Sequence, residues 1–247
     1  MATLAIIGGT GLTQLNELQI ERREVVHTPY GEPSGALTFG TLQGREVAFL
    51  ARHGYGHTIP PHMVNYRANL WALQESGIER VIAVCAVGSI PADIPPAGVV
   101  IPDQLIDYTW SRKHTFFETD LTSVTHIDFT EPYCRELREL LIRSAGQAGV
   151  EVRTSGTYGA TQGPRLETAA EIDRMERDGC DLVGMTGMPE AALARELGLC
   201  YAVCAVSANA AAGRGSGPIE MEEIEQNLKT GMERVRAILE QAITAAG

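Results

Sequence analysis

Two glycine-spaced segments carry the polar groups best suited to chemistry in this chain: Ala5-Ile6-Ile7-Gly8-Gly9-Thr10-Gly11 and Arg52-His53-Gly54-Tyr55-Gly56-His57. Each follows a short apolar stretch, Leu4 to Ile7 and Val47 to Ala51, of the kind expected for a buried strand that runs into a loop. Both loops then open on one edge of a sheet. There, glycines let backbone N–H groups approach an anion, while Thr10, Arg52 and His53 add donors that complement its oxygens. This is phosphate-binding chemistry. Taken singly, the residues allow plainer readings: a tight turn at the first glycines, an ion pair at a surface or subunit interface for Arg52, and a hydrogen-bonded buried histidine for His53.

The common nucleotide motifs are missing. Gly9-Thr10-Gly11-Leu12-Thr13-Gln14 lacks the third glycine of a dinucleotide fingerprint, and no Gly-Lys-Ser/Thr follows. Lys113 and Lys229 are the only lysines, and neither lies in a context for a Walker or Schiff-base role. His53 and His57 have i, i+4 spacing, but two glycines intervene and no acidic partner completes a His-Glu-x-x-His pattern, so no metal site is expected. The five cysteines, Cys85, Cys134, Cys180, Cys200 and Cys204, are odd in number and form no Cys-x-x-Cys. They indicate neither a disulfide framework nor a zinc knuckle, and are expected to be reduced, mostly buried thiols.

The elements that must position these groups can be read from composition and period. With 247 residues, 44% apolar and 21% charged, the chain suits one globular domain over residues 1–247. A net charge of −11 without Lys/Arg runs disfavours a nucleic-acid or anionic-membrane partner, so an anion site has to be a local pocket. No apolar run approaches the roughly 20 residues of a membrane span and no leader pattern is present, which leads to an expected cytoplasmic location. Apolar runs at Val81 to Val84, Gly98 to Ile101, Leu182 to Met185 and Cys200 to Val206 alternate with segments of helical period, the pattern of an α/β domain. Helices are expected at 65–77, 131–149, 166–179 and 189–198, each with a glycine at its end. A last helix carries Ile224, Leu228, Met232, Val235 and Leu239 as one apolar stripe for core or subunit packing. Trp110 to Asp128 reads as a long loop, able to close over a ligand or reach a neighbouring subunit, or a plain surface excursion.

Five ordered segments carry a resemblance over nearly the whole chain. Ile6 to Gly11, Ala51-Arg52-His53-Gly54, Gly163-Pro164-Arg165-Leu166-Glu167-Thr168, Gly184-Met185-Thr186-Gly187-Met188-Pro189-Glu190 and Ser207-Ala208-Asn209 resemble the trimeric purine nucleoside phosphorylase and methylthioadenosine phosphorylase family. The resemblance implies an α/β fold with a central mixed sheet flanked by helices, a homotrimer, and no metal or organic cofactor. It further implies phosphorolysis of a purine nucleoside to free base and sugar 1-phosphate, with inorganic phosphate as co-substrate. Carried over, the phosphate site comprises Thr10, Arg52, His53, the loop Cys85-Ala86 and Thr186. Met185 lies against the ribose, and Leu166, Glu167, Asn209 and Ala211 surround the base.

Within that resemblance, Asn209 decides the base. The 6-aminopurine branch looks to have Asp there, which when protonated can donate to N7 and accept from an amino group, whereas Asn offers an NH2 donor to O6 or N7. A wrong partner buries an unpaired group at a cost of roughly 1 to 3 kcal/mol. Glu167 stands where the 6-oxopurine branch has an acceptor for N1–H. Without the resemblance, Asn209 is a turn former after a strand and Glu167 an acid in a helix's first turn. At the sugar 5′ end, Met221 and Ile224 present apolar surface that favours a methylthio group over a hydroxyl. His126 matches a residue that reaches this pocket from an adjacent subunit; otherwise Met221 packs a helix start and His126 is a solvated loop residue.

The combination specifies 5′-methylthioinosine, with hypoxanthine and 5-methylthioribose 1-phosphate as products. Leu166, Ala208 and Ala211 depart from the family's usual side chains, and Cys85 stands where a hydroxyl or amide often helps hold phosphate. The competing readings are a methylthioadenosine or general inosine/guanosine phosphorylase, a nucleosidase using water, a purine or phosphate sensor without turnover, and a NAD-linked oxidoreductase.

Overall fold

The computed structural model describes residues 2–119 and 121–246. Its spine is an eleven-stranded mixed sheet. β1 (Leu4–Gly8), β4 (Arg45–Ala51), β5 (Arg80–Ser89) and β11 (Cys200–Ala210) run parallel to one another in the spatial order β4, β1, β5, β11. β2 (Gln19–Glu24) and β3 (Leu37–Leu42) extend the β4 side antiparallel, and β6 (Val99–Val100) with β8 (Val152–Arg153) extends the β11 side. A third arm, β10 (Leu182–Gly184), β9 (Thr157–Ala160) and β7 (Gln104–Asp107), joins the far end of β5.

The central strands are continuous apolar runs because both their faces are covered. Alternate residues of β1 and β5 serve opposite cores: Ala5, Ile7, Val81 and Ala83 face one side, and Leu4, Ile6, Ile82 and Val84 the other. The first core is closed by α1 (Tyr66–Glu75) and α4 (Gly187–Glu196). The second is closed by α2 (Arg135–Gln147) and α5 (Met221–Ala245), whose Leu228, Met232, Val235 and Leu239 form the expected buried stripe.

The helix expected at 166–179 is shorter. α3 (Ala169–Arg177) starts at a capping box in which Thr168 and Glu171 satisfy each other's backbone N–H groups, a stronger start signal than the apolar residue before it. Leu166 and Glu167 therefore lie on a loop, and Glu167 is not a first-turn acid. Cys85 and Ala86 are also misplaced by the sequence reading, since β5 runs on through them to Ser89.

The thiol expectation needs a further correction. Cys134 and Cys200 form a disulfide, and only Cys85, Cys180 and Cys204 are free and buried. The pair is 66 residues apart in sequence but joins the N-cap of α2 to the first residue of β11. Spacing motifs cannot reveal such a bridge, because the fold alone brings the two Cα atoms to 5.1 Å.

Candidate active site

One long edge of β5 explains where the cavity forms. Arg80 to Ala83 pair with β1, and Gly88 and Ser89 pair with β10, which arrives from the opposite direction. Among the described residues, Val84 to Val87 have no strand partner on that edge. The gap opens beside the carboxyl ends of β1 and β4, the usual position for ligands in α/β sheets. A cavity of about 580 Å³ occupies it, and every site residue expected from sequence lines it except His126.

The polar end is built by strand exits. Arg52 directly follows β4 and is fully buried at 0% exposure. Its Nε and one terminal nitrogen donate to the two carboxylate oxygens of Glu190 at 2.7 and 2.8 Å, and the other terminal nitrogen donates to the free Val84 carbonyl at 3.0 Å. Tyr201 Oη donates to the same carboxylate at 2.8 Å. Glu190 thus cancels the charge of Arg52 while fixing its plane. This end of the cavity is then close to neutral rather than a net positive patch, in a chain of net charge −11. Gly9 is required here, because a Cβ on it would stand 2.8 Å from the Arg52 guanidinium and 2.6 Å from the Val84 carbonyl oxygen.

His53 is also buried, and its Nδ1 lies 2.7 Å from the Ile59 carbonyl oxygen. A carbonyl can only accept, so Nδ1 carries the proton and a neutral ring presents a bare Nε2, an acceptor where the sequence reading expected His53 to donate to an anion. Burial, reinforced by the adjacent Arg52 charge, lowers the His53 pKa to about 4 and keeps the ring neutral. Thr10 Oγ1 lies 3.0 Å from His57 Nε2, tying the two glycine loops together. Thr186 returns from β10 to place its hydroxyl 3.6 Å from the Cys85 thiol. Burial raises the Cys85 pKa, so it meets the cavity as a neutral thiol.

Asn209 sits in β11 just past a register shift between Ser207 and Asn209. Such a bulge turns a side chain out of the sheet's alternation, here toward the cavity. Its amide NH2 donates to the Ala210 carbonyl at 2.7 Å. Glu167 accepts from the Thr161 hydroxyl through one oxygen at 2.6 Å. Met185 packs over Gly163, where a Cβ would come within 2.4 Å of the Met185 sulfur and where φ is +60°. Ala211 is buried beside Gly88. The cavity also has an apolar wall, with Ile219, Met221, Ile224 and Leu228 contributed by the start of α5 and the segment before it.

Sequence reasoning missed two supports. Glu190 stood inside a quoted motif, but nothing in the motif pairs it with Arg52 across 138 residues. Arg112, from the irregular segment, is buried and donates to the carbonyls of Thr161, Gln162, Met185 and Met188. One side chain therefore holds both the loop before Glu167 and the loop bearing Thr186. The Trp110 to Asp128 stretch is anchored there rather than free along its length, while His126 is exposed on its far part.

The chain belongs to the phosphorylase superfamily, whose model matches residues 3–244. It is 54% identical over 246 residues to a protein of Pseudomonas syringae pv. tomato named "Probable S-methyl-5'-thioinosine phosphorylase", with 100% of both chains covered. It is 46% identical over 248 residues to the 6-oxopurine nucleoside phosphorylase of Pyrococcus furiosus, covering 98% of this chain and 92% of that one. Among solved structures, methylthioadenosine phosphorylase from Schistosoma mansoni in complex with adenine superposes with a TM-score of 0.96 at 32% identity, over 100% of this chain and 92% of that chain. The expected α/β architecture and the family resemblance therefore both hold.

Proposed function

We propose that this protein catalyses the phosphorolysis of S-methyl-5′-thioinosine to hypoxanthine and 5-methylthioribose 1-phosphate, as part of purine salvage. One observation carries the reading: a single cavity is lined by the polar groups of Thr10, Arg52 and Thr186, the amide of Asn209, the carboxylate of Glu167, and the apolar side chains of Ile219, Met221, Ile224 and Leu228. The names borne by relatives at 54% and 46% identity agree with it.

In this reading phosphate lies between the Arg52 guanidinium, the hydroxyls of Thr10 and Thr186, and the open edge of β5 at Cys85 and Ala86. Its oxygen forms a bond to the anomeric carbon while the bond to purine N9 breaks. The electron pair of that bond leaves with the base, which ends up with the proton that hydrogen phosphate loses on becoming a sugar ester, and the ribosyl group passes through an oxocarbenium-like state. Asn209 turns its NH2 from the Ala210 carbonyl to the N7/O6 edge, where the charge develops. Glu167 keeps one oxygen on Thr161 and accepts from N1–H with the other. Met185 lies against the ribose, and Leu166 and Ala211 flank the base. No metal or organic cofactor takes part, since placing the nucleophile and stabilising the leaving group suffice.

The assembly is a homotrimer in the cytoplasm, with His126 closing the 5′ pocket of a neighbouring subunit. The exposed apolar side chains Trp110, Leu121 and Val124 on the same segment suit burial against that neighbour. A second reading, a 6-amino preference, draws on the likeness to methylthioadenosine phosphorylase, but Asn209 and Glu167 both oppose it. The test is side-by-side phosphorolysis of methylthioinosine, methylthioadenosine, inosine and guanosine, with and without phosphate. Methylthioinosine is expected to have the highest kcat/KM and no nucleoside to turn over without phosphate. A lead for methylthioadenosine, or turnover in phosphate-free buffer, overturns the proposal.

A further inference from the structure

We infer that His57 is a positioning residue for the anion, its Nε2–H fixing the Thr10 hydroxyl so that the hydroxyl proton points at phosphate. The inference rests on the proposed reaction. It concerns a histidine that the metal-spacing argument leaves without a role.

Three observations meet at this side chain. His57 Nε2 lies 3.0 Å from Thr10 Oγ1, a contact between loops 47 residues apart, and both residues line the cavity. The backbone holds His57 at φ 50°, in the left-handed region that is uncommon for residues other than glycine, although histidine enters it more readily than most. The turn that imposes this conformation is well bonded: Gly54 N–H donates to Ala51, His57 N–H to Gly54, and the N–H groups of Thr58 and Ile59 both to His53. Glycine would occupy the position most freely, and the residue that stands there instead has a ring that reaches Thr10.

The chemistry follows from counting protons. A phosphate oxygen carrying negative charge accepts hydrogen bonds, and Thr10 has one hydroxyl proton to give. If His57 Nε2 were bare, it would take that proton and turn the Thr10 lone pairs toward the anion. With a hydrogen on Nε2, the ring donates to Thr10 Oγ1 and the hydroxyl proton is released toward phosphate. His57 thus decides whether Thr10 attracts the anion or repels it. His53 cannot substitute, because its Nδ1–H is committed to Ile59 and its Nε2 carries no hydrogen to donate.

The test is steady-state phosphorolysis of methylthioinosine with phosphate and nucleoside varied in turn, for wild type, His57→Gly, His57→Gln, Thr10→Val and the Thr10→Val/His57→Gly double variant. His57→Gly accepts the backbone angle and removes only the ring, and His57→Gln retains an N–H donor. The expected result for His57→Gly is a phosphate KM raised about 10-fold, the size of one hydrogen bond to a charged group, with nucleoside KM within about 2-fold. His57→Gln is expected to restore phosphate KM to within about 3-fold of wild type, and His57→Gly to add less than about 2-fold in the Thr10→Val background. Nucleoside KM rising in step with phosphate KM, a Gln variant as impaired as Gly, or full additivity with Thr10→Val would each overturn the inference. Absence of phosphate-dependent turnover in wild type would instead overturn the reaction itself.

Discussion

At the proposed anion site Arg52, His53 and Thr186 are all buried, whereas Met221, proposed for the sugar, is 60% exposed and Leu166, proposed for the base, 44% exposed. The first group stands on the exits of β4 and β10, and its partners Glu190 and Tyr201 come from α4 and β11. The second group stands on a loop and on the first turn of α5, which has no side-chain cap. Sheet exits hold a side chain through two cores at once, so their geometry is set before any ligand arrives. Loop and helix-start residues lack that support and tolerate change more readily. On the proposed reading, the scaffold fixes the reaction and the periphery chooses the nucleoside.

The sharpest way to break this contrast is at Arg52. Removing it alone strands the buried Glu190 carboxylate, a change expected to destabilise by about 3 to 5 kcal/mol, which confounds any kinetic reading. Replacing both partners, Arg52→Met with Glu190→Gln, takes the charge pair out together and leaves Tyr201 Oη an amide oxygen to bond. The double variant is expected to melt close to wild type but to lose about 10²- to 10³-fold in kcat, the effect of deleting an aimed donor. Normal turnover would mean that Arg52 is an internal strut and nothing more.

The second test shifts to the base. Asn209→Asp leaves the bulge and the Ala210 carbonyl in place but offers a carboxyl group to the six-position. The kcat/KM ratio of methylthioadenosine to methylthioinosine is expected to rise about 10- to 100-fold, the worth of one mismatched buried partner. An unchanged ratio would move the choice of base from Asn209 to Glu167 and its Thr161 support.

How much of this was legible in sequence follows the same division. The apolar runs of β1, β4, β5, β10 and β11 mark the central strands, because burial on both faces leaves no other residue type. β2, with the residues Gln19 to Glu24 largely exposed, and the short β7 and β9 carry no such run and were not anticipated. Glycine exits drew attention to Thr10, Arg52 and His53 on chemistry alone. The base and sugar contacts needed the family resemblance, since Asn209 in isolation is an ordinary turn former. Long-range partnerships stayed hidden: Arg52 with Glu190, Arg112 with four carbonyls, and Cys134 with Cys200 each depend on the chain's path rather than its spacing.

The smallest effect belongs at the sugar end. Met221 is still largely open to solvent in a single chain, and it lines the cavity with Ile224 and Leu228. Met221→His places a polar tip where the 5′ substituent is expected. It should lower kcat/KM for methylthioinosine and raise it for inosine, moving their ratio about 10-fold, in the range of a single altered contact in an apolar pocket. Phosphate KM should stay where it is, because no strand exit has moved. A phosphate KM that followed the substitution would show the two ends to be coupled. The natural route for such coupling is the Gly11 loop, where a Cβ would meet Met232 and Leu228 of α5 at 3.3 and 3.6 Å, directly after Thr10.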